Sequence, residues 1–169
     1  ENLDLSNNKL LTLTNSFAYQ KALKVLDLKN NKLIALPQNF GDLKNLEYLN
    51  ISKNGLSKLP PSFAKLQNLK SLIYSSNGVN FCHEEISNLR KLKALDLSFN
   101  NLSALPASFS RLDNLELLSL RNNKFKDFPH SLLECRQLNT LDLVKNSIRY
   151  IPERIILMQE LEKLKLDNN

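Results

Sequence analysis

The chain contains few of the residues on which most catalytic and metal-binding sites depend. Among its 169 residues are two cysteines, two histidines, three glycines and no tryptophan. No G-x-x-x-x-G-K-[ST] phosphate loop, G-x-G-x-x-G turn or H-E-x-x-H pair occurs. The histidines, His83 and His130, lack a surrounding set of metal ligands or a nucleophile partner, which favours exposed loop positions for both. The sequence therefore predicts a protein that is not an enzyme and that uses no cofactor or metal.

Long hydrophobic runs, linkers and runs of one charge are also missing. No stretch approaches the roughly 18 consecutive apolar residues of a membrane-spanning helix, and no Gly/Ser-rich or Pro-rich stretch divides the chain. We therefore predict one domain over residues 1–169 with no membrane span. Because both ends lie inside a repeated pattern without a polar capping segment, we expect that they were cut from a longer chain.

An asparagine recurs at a constant spacing of 23 residues along the chain. A fixed period of about 20 to 50 residues is typical of a solenoid, in which each repeat buries its apolar face against its neighbours. The sequence therefore predicts about seven repeats. The eight asparagines are Asn8, Asn31, Asn54, Asn77, Asn100, Asn123, Asn146 and Asn169.

Each repeat has the pattern L-x-x-L-x-L-x-x-N-x-L-x-x-L-P-x-x-F-x-x-L, as in residues 46–66. Its L-x-L segment alternates buried and outward side chains, which is typical of a strand with one buried face. After the asparagine, apolar residues recur at every third position, which fits 3₁₀ turns better than an α-helix. A proline six residues after most of the asparagines indicates that the chain leaves the sheet there. The repeats therefore predict stacked parallel strands with 3₁₀ or irregular return segments.

The asparagines and the two cysteines are predicted to have structural roles. An asparagine amide both donates and accepts, so it can satisfy backbone groups of its own turn and of the adjacent repeat. Cys82 and Cys135 replace core aliphatic residues of other repeats and stand at different positions two repeats apart. We therefore expect reduced thiols in the core and no disulfide between them.

The repeat pattern resembles that of the leucine-rich-repeat family, in the form with L-P-x-x-[FI], across essentially the whole chain. The resemblance implies an α/β solenoid, a right-handed coil with a parallel β-sheet on its concave face and irregular or 3₁₀ segments on its convex face. The repeat is similar to those of leptospiral leucine-rich-repeat proteins, of Roco-type GTPases and of Ras-pathway and Scribble-like scaffolds.

Two repeats depart from the pattern. The first has Thr14 where proline is usual, which is consistent with a near-terminal unit. The repeat around Asn77 has Tyr74 at a core strand position and His83 in place of proline. We interpret the second departure as local drift, with a change of curvature or a contact point as the alternative.

The net charge of +6 leaves two interpretations open. Many lysines and arginines, such as Lys44, Arg90 and Arg111, fall in the return segments, which predicts a solvated convex surface. No cluster of basic residues with interleaved aromatics is apparent, so we expect no nucleic-acid partner. A weakly bound anionic partner is the alternative.

The outward positions of the strands are the candidate binding surface, because the repeat fixes their backbone and leaves their side chains free to vary. These positions lie two, four and six residues before each asparagine. In the middle repeats they combine apolar, aromatic and charged side chains, as protein interfaces do. The predicted contact residues are Tyr48, Ile73, Asp96, Leu117, Arg121 and Asp142 at these positions, together with Phe99, which lies one place before its asparagine.

We therefore predict a monomeric, non-catalytic module that binds a protein or peptide on its concave face, in a signalling or scaffold role. Two alternatives stay open. The array is the sensing or targeting arm of a larger signalling enzyme, such as a GTPase or ubiquitin ligase, or it is a secreted or surface protein that mediates adhesion or contact with a host. Secreted, surface and cytoplasmic locations are all compatible with the sequence.

Overall fold

In a computed structural model that describes residues 1–169, the chain forms one open sheet of eight parallel strands. Strands that are consecutive in the chain are neighbours in the sheet, and each residue pairs with the residue 23 positions later, as Leu26 does with Leu49. The strands are β1 (Asn2–Asp4), β2 (Val25–Asp27), β3 (Tyr48–Asn50), β4 (Ser71–Ile73), β5 (Ala94–Asp96), β6 (Leu117–Ser119), β7 (Thr140–Asp142) and β8 (Lys163–Lys165).

A 3₁₀ helix lies in each return segment, and the structure contains no α-helix. Most of these helices begin directly after a proline in an extended conformation, such as Pro60 or Pro106. The ring of the proline fixes its φ, which favours the turn by which the chain leaves the sheet. The predicted three-residue period of the return segments is thereby confirmed. The helices are η1 (Asn15–Tyr19), η2 (Phe40–Asp42), η3 (Pro61–Lys65), η4 (Glu84–Asn88), η5 (Ala107–Arg111), η6 (His130–Glu134) and η7 (Glu153–Leu157).

The core lies between the sheet and the stacked 3₁₀ helices and forms one continuous cluster. Phe40 and Phe63 stack in adjacent repeats with ring centroids 6.2 Å apart. Cys135 is buried and Cys82 packs half-buried against the core, and both thiols are free, as predicted. Burial, with smaller contributions from nearby carboxylates, raises the pKa of the Cys135 thiol to about 12. Both cysteines therefore serve as small apolar residues.

The recurring asparagines join adjacent repeats through their side-chain amides. The Asn100 oxygen accepts the backbone N–H groups of Asn77 and Val79 at 3.0 and 3.1 Å. The Asn100 nitrogen donates to the carbonyls of Tyr74 and Leu97, each at 3.0 Å. Equivalent bonds to the preceding repeat recur from Asn31 to Asn169. The predicted structural role of these side chains is confirmed.

The residue before each asparagine has a positive φ, between 53° and 59°. This left-handed conformation turns the chain out of its strand. In seven repeats the position holds asparagine, lysine or serine, but in the fifth it holds Phe99. A bulky side chain is uncommon in this region because its Cβ approaches the backbone too closely.

The irregular repeat around Asn77 is built around the buried ring of Tyr74. The Tyr74 hydroxyl donates to the carbonyl of Leu56, and the ring lies 6.4 Å from that of His83. The His83 Nε2 atom lies 3.1 Å from the carbonyl oxygen of Ser57. The predicted exposed position is therefore wrong for His83, because a partly covered ring beside a core tyrosine replaces the usual proline. His130 is exposed, as expected.

Candidate binding surface on the concave face

The outward row six residues before each asparagine contains two large side chains separated by two small ones. Tyr48, Ser71, Ala94 and Leu117 are paired in succession across β3 to β6. Three strand spacings separate Tyr48 from Leu117, a distance of about 14 Å. The side chains of Ser71 and Ala94 are shorter than those of Tyr48 and Leu117, so the two large side chains extend further from the sheet than the residues between them.

The row four residues before each asparagine lies beside this row on the same face of the sheet. Ile73 on β4 pairs directly with Asp96 on β5, and Ser119 separates Asp96 from Asp142 on β7. Ile73, Asp96 and Asp142 are all half-buried. An apolar side chain thus stands next to acidic groups at the centre of the face.

The two aspartates also hold the turns that follow their strands. The Oδ1 atom of Asp96 accepts the backbone N–H of Ser98 at 2.8 Å, and that of Asp142 accepts the N–H of Val144 at 3.0 Å. Asp27 makes the same bond to Lys29. Sequence reasoning missed this structural role, although the recurrence of L-D-L in several repeats was the signal for it. Only the remaining carboxylate oxygen of each aspartate is free of this turn bond.

Phe99 and Arg121 form the edge of the surface where the strands end. The Phe99 N–H donates to the Arg121 carbonyl at 2.9 Å, which makes the two residues direct neighbours. The Phe99 side chain is 49% exposed, and Arg121 is half-buried and joins no ion pair. The backbones of an exposed aromatic residue and of an arginine without an ion-pair partner are therefore adjacent at this edge.

Tyr48, on β3, lies near polar neighbours. Burial of its ring and the charge of Asp27 raise the pKa of the Tyr48 phenol, and a hydrogen bond with Asn50 opposes the rise. The Asn50 amide in turn donates to Asp27 Oδ2 at 3.1 Å. The phenol is therefore neutral at physiological pH and keeps its hydroxyl proton as a donor.

Five of the seven residues predicted as contacts lie within strands β3 to β7, across a width of about 19 Å, and Phe99 and Arg121 follow the ends of β5 and β6. No group of three or more His, Cys, Asp and Glu side chains in the structure converges as metal ligands would. No helix is long and apolar enough to cross a bilayer. The arrangement offers shape, apolar contact and hydrogen bonding, which are the means of non-covalent recognition.

The repeat model of the leucine-rich-repeat family matches the chain in overlapping windows over residues 1–56, 22–79, 44–102, 67–125 and 90–148. The chain belongs to the leucine-rich-repeat family. Domains of this family serve in general as protein-interaction modules. No curated protein sequence matches the chain significantly.

Solved structures with the same fold come from several organisms. A leucine-rich-repeat protein of Leptospira interrogans is 34% identical with a TM-score of 0.96, over 99% of this chain and 43% of that protein. The ectodomain of the Arabidopsis thaliana membrane receptor kinase GASSHO1/SCHENGEN3, in complex with CASPARIAN STRIP INTEGRITY FACTOR 2, is 36% identical with a TM-score of 0.83. That match covers 100% of this chain and 21% of that one. Internalin C2 of Listeria monocytogenes is 26% identical with a TM-score of 0.85, over 99% of this chain and 71% of that one. The chain thus spans less than half of the first two proteins.

Proposed function

We propose that this domain binds a protein or peptide partner across the concave face of β3 to β7. Tyr48, Phe99 and Leu117 are the apolar anchors of the proposed site. Asp96, Arg121 and Asp142 surround them with charged groups that orient the partner, and Ile73 supplies apolar contact at the centre. The proposal assigns recognition to this surface and no chemical reaction.

The observation that carries the proposal is the placement of Phe99. Its backbone adopts the left-handed conformation in which a bulky residue costs about 1–2 kcal/mol, and half of its side chain is exposed. Asparagine, which tolerates this conformation, stands at the same position in repeats such as those of Asn7 and Asn122. Folding alone therefore gives little reason for a phenylalanine there, whereas a contact with a partner does.

The row that contains Tyr48 and Leu117 is the second observation that supports the proposal. Ser71 and Ala94 leave room between Tyr48 and Leu117 for an apolar side chain of a partner. Leu117 is 43% exposed, so further apolar area would be removed from water on binding. Aromatic and aliphatic anchors within a charged rim are typical of the residues that dominate binding energy. The reported complex of the plant receptor ectodomain shows that a related leucine-rich-repeat domain has a bound partner.

The test is an affinity capture in which the wild-type domain is compared with a Tyr48→Ala/Phe99→Ala/Leu117→Ala variant. A matched control replaces Tyr19, Ile156 and Leu157, three exposed apolar residues of the return segments, with alanine. We expect the wild type and the control to retain the same partner proteins and the concave variant to lose them. Loss of three anchors is expected to weaken binding of a captured partner at least about a hundredfold in biolayer interferometry.

Circular dichroism melting of all three proteins separates loss of binding from loss of folding. If the concave variant melted cooperatively and still bound every partner of the wild type with equal affinity, the proposed site would be wrong. The same conclusion would follow if only the control lost the partners, because binding would then lie on the convex side.

A further inference from the structure

The positive charge of the molecule is concentrated at one edge of the sheet, where the strands end. We define the strand-end rim as seven segments that each run from two residues before to four residues after an asparagine of the 23-residue series: 6–12, 29–35, 52–58, 75–81, 98–104, 121–127 and 144–150. These segments contain ten of the 23 lysines and arginines but only one of the 17 aspartates and glutamates, Asp127. The rest of the chain has more acidic than basic residues. The basic residues that the sequence places in the return segments, such as Lys44, Arg90 and Arg111, are not among these ten.

None of the ten rim cations has a carboxylate partner. The structure contains seven ion pairs, and each involves a basic residue outside the rim. At the opposite edge, where the strands begin, Lys70 and Lys93 pair with glutamates of adjacent repeats at 2.6 Å. Equivalent positions of adjacent repeats are about 4.8 Å apart, which is less than the Debye length of about 8 Å, so the repulsion between rim cations of adjacent repeats is not compensated by carboxylates. An anionic partner would relieve this repulsion.

The rim cations form two groups of five with an uncharged centre between them. The centre consists of segments 75–81 and 98–104, which contain no charged residue. It presents Phe81, 80% exposed, and Phe99. The first group is Lys9, Lys29, Lys32, Lys53 and Lys58, and the second is Arg121, Lys124, Lys126, Lys145 and Arg149.

The spacing of these groups sets the length of a matching ligand. The seven segments extend over about 29 Å, which equals about nine residues of extended chain. Segments 52–58 and 121–127, which border the centre, lie about 14 Å apart, or four to five extended residues. We propose that the strand-end rim binds an extended polypeptide segment whose two acidic ends contact the two basic groups and whose apolar middle packs against Phe81.

The uncharged centre favours a polypeptide over a uniform polyanion. A nucleic-acid strand carries a phosphate at every nucleotide, so several phosphates would face the centre without a cation and beside an exposed phenylalanine. An acidic peptide with an apolar middle has complementary groups at all three places. This surface is separate from the proposed concave site, although Phe99 and Arg121 lie at the boundary between the two.

The experiment uses a fluorescein-labelled peptide in which three glutamates precede and three follow Gly-Phe-Leu-Gly, with binding measured by fluorescence anisotropy. A permuted peptide with the six glutamates in one run tests the arrangement. We expect the split peptide to bind several-fold more tightly than the permuted one, and both to weaken as salt rises from about 0.05 M to about 0.15 M. Equal affinities would overturn the proposed arrangement.

Two charge variants and one control test the location of this binding. The variants are Lys9→Gln/Lys32→Gln/Lys58→Gln and Lys124→Gln/Lys126→Gln/Arg149→Gln, and the control is Lys44→Gln/Arg111→Gln/Arg136→Gln on the return segments. All three proteins carry the same net charge. Each rim variant is expected to lose about tenfold in affinity for the split peptide, and the control less than about twofold. Equal losses in all three would overturn the proposal, because they would reflect net charge alone.

A single-stranded oligonucleotide and vesicles with anionic lipid serve as rival probes. Tighter binding of either one than of the split peptide, with the same dependence on the rim lysines, would overturn the peptide assignment. A Phe81→Ser variant is expected to reduce the preference for the split peptide over the permuted one. None of these variants alters Tyr48, Phe99 or Leu117, so this proposal can fail while the proposed concave site stands.

Discussion

At the level of single residues, the tightest packing in the fold occurs at Gly41, where η2 passes the next return segment. Its N–H donates to the Ser62 hydroxyl at 3.1 Å, and a Cβ atom at Gly41 would lie 1.7 Å from the Ser62 carbonyl oxygen. A backbone atom at this distance cannot move aside as a flexible side chain can. This contact could not be predicted from the repeat pattern, because it depends on how closely two return segments approach each other.

The three glycines allow a graded test of this packing. Gly41→Ala is expected to lower the free energy of unfolding by about 3 kcal/mol, since the backbone of two repeats must separate. Gly78→Ala is expected to cost about 1 kcal/mol, because its φ of +70° is unfavourable for alanine although the space is open. Gly55→Ala, with its nearest atom at 3.4 Å, is expected to be neutral. Urea unfolding measures the loss of unfolding free energy in each of the three variants. Equal losses for the Gly41 and Gly55 variants would contradict the expected order.

At the level of elements, the period of the sequence predicted the strands and return segments well, because every repeat contributes the same alternation and the same asparagine. It did not predict a second set of amide bonds on the convex side. Asn45, Asn68 and Asn114 donate to return-segment carbonyls of the preceding repeat at 2.7 to 2.9 Å. The equivalent position holds Ala22, Lys91 or other residues elsewhere, so the pattern is too interrupted to recognise without the structure.

The asparagines of the 23-residue series differ in their expected contribution to stability, because only some of them form hydrogen bonds to an adjacent repeat. Asn100 is buried and joins its repeat to the preceding one, whereas the Asn8 amide is exposed and donates only to carbonyls of its own turn. Asn100→Ala leaves two buried N–H groups without an acceptor and is expected to cost about 3 kcal/mol or more. Asn8→Ala is the matched control and is expected to cost less than about 1 kcal/mol. Chemical denaturation measures both, and equal losses would show that the bonds between repeats contribute little.

At the level of the whole molecule, the candidate surfaces differ in how far the sequence revealed them. The seven candidate contact residues were predicted from the repeat alone, because alternation in a strand decides which side chains face outward and the asparagine fixes where each strand ends. The strand-end rim was missed because the basic residues were judged along the chain. When the basic residues are sorted by their distance from the nearest asparagine of the series, ten of them, including Lys32 and Lys124, lie within the strand-end rim. Only the structure shows that these cations have no carboxylate partners and that Phe81 is exposed.

The stability of the array is expected to vary along its length, because each repeat packs only against its neighbours. Leu97 in the central repeats is 1% exposed, whereas the equivalent Leu5 and Leu166 at the ends are only half-buried. The amides of Leu5 and Leu97 make equivalent bonds to the next strand, 2.8 and 2.9 Å long. A difference between the hydrogen–deuterium exchange rates of these two amides would therefore report local opening of the structure and not the absence of a hydrogen bond. Hydrogen–deuterium exchange is expected to be at least about tenfold slower at Leu97 than at Leu5. Equal rates at both amides would instead show that all repeats open together as one cooperative unit.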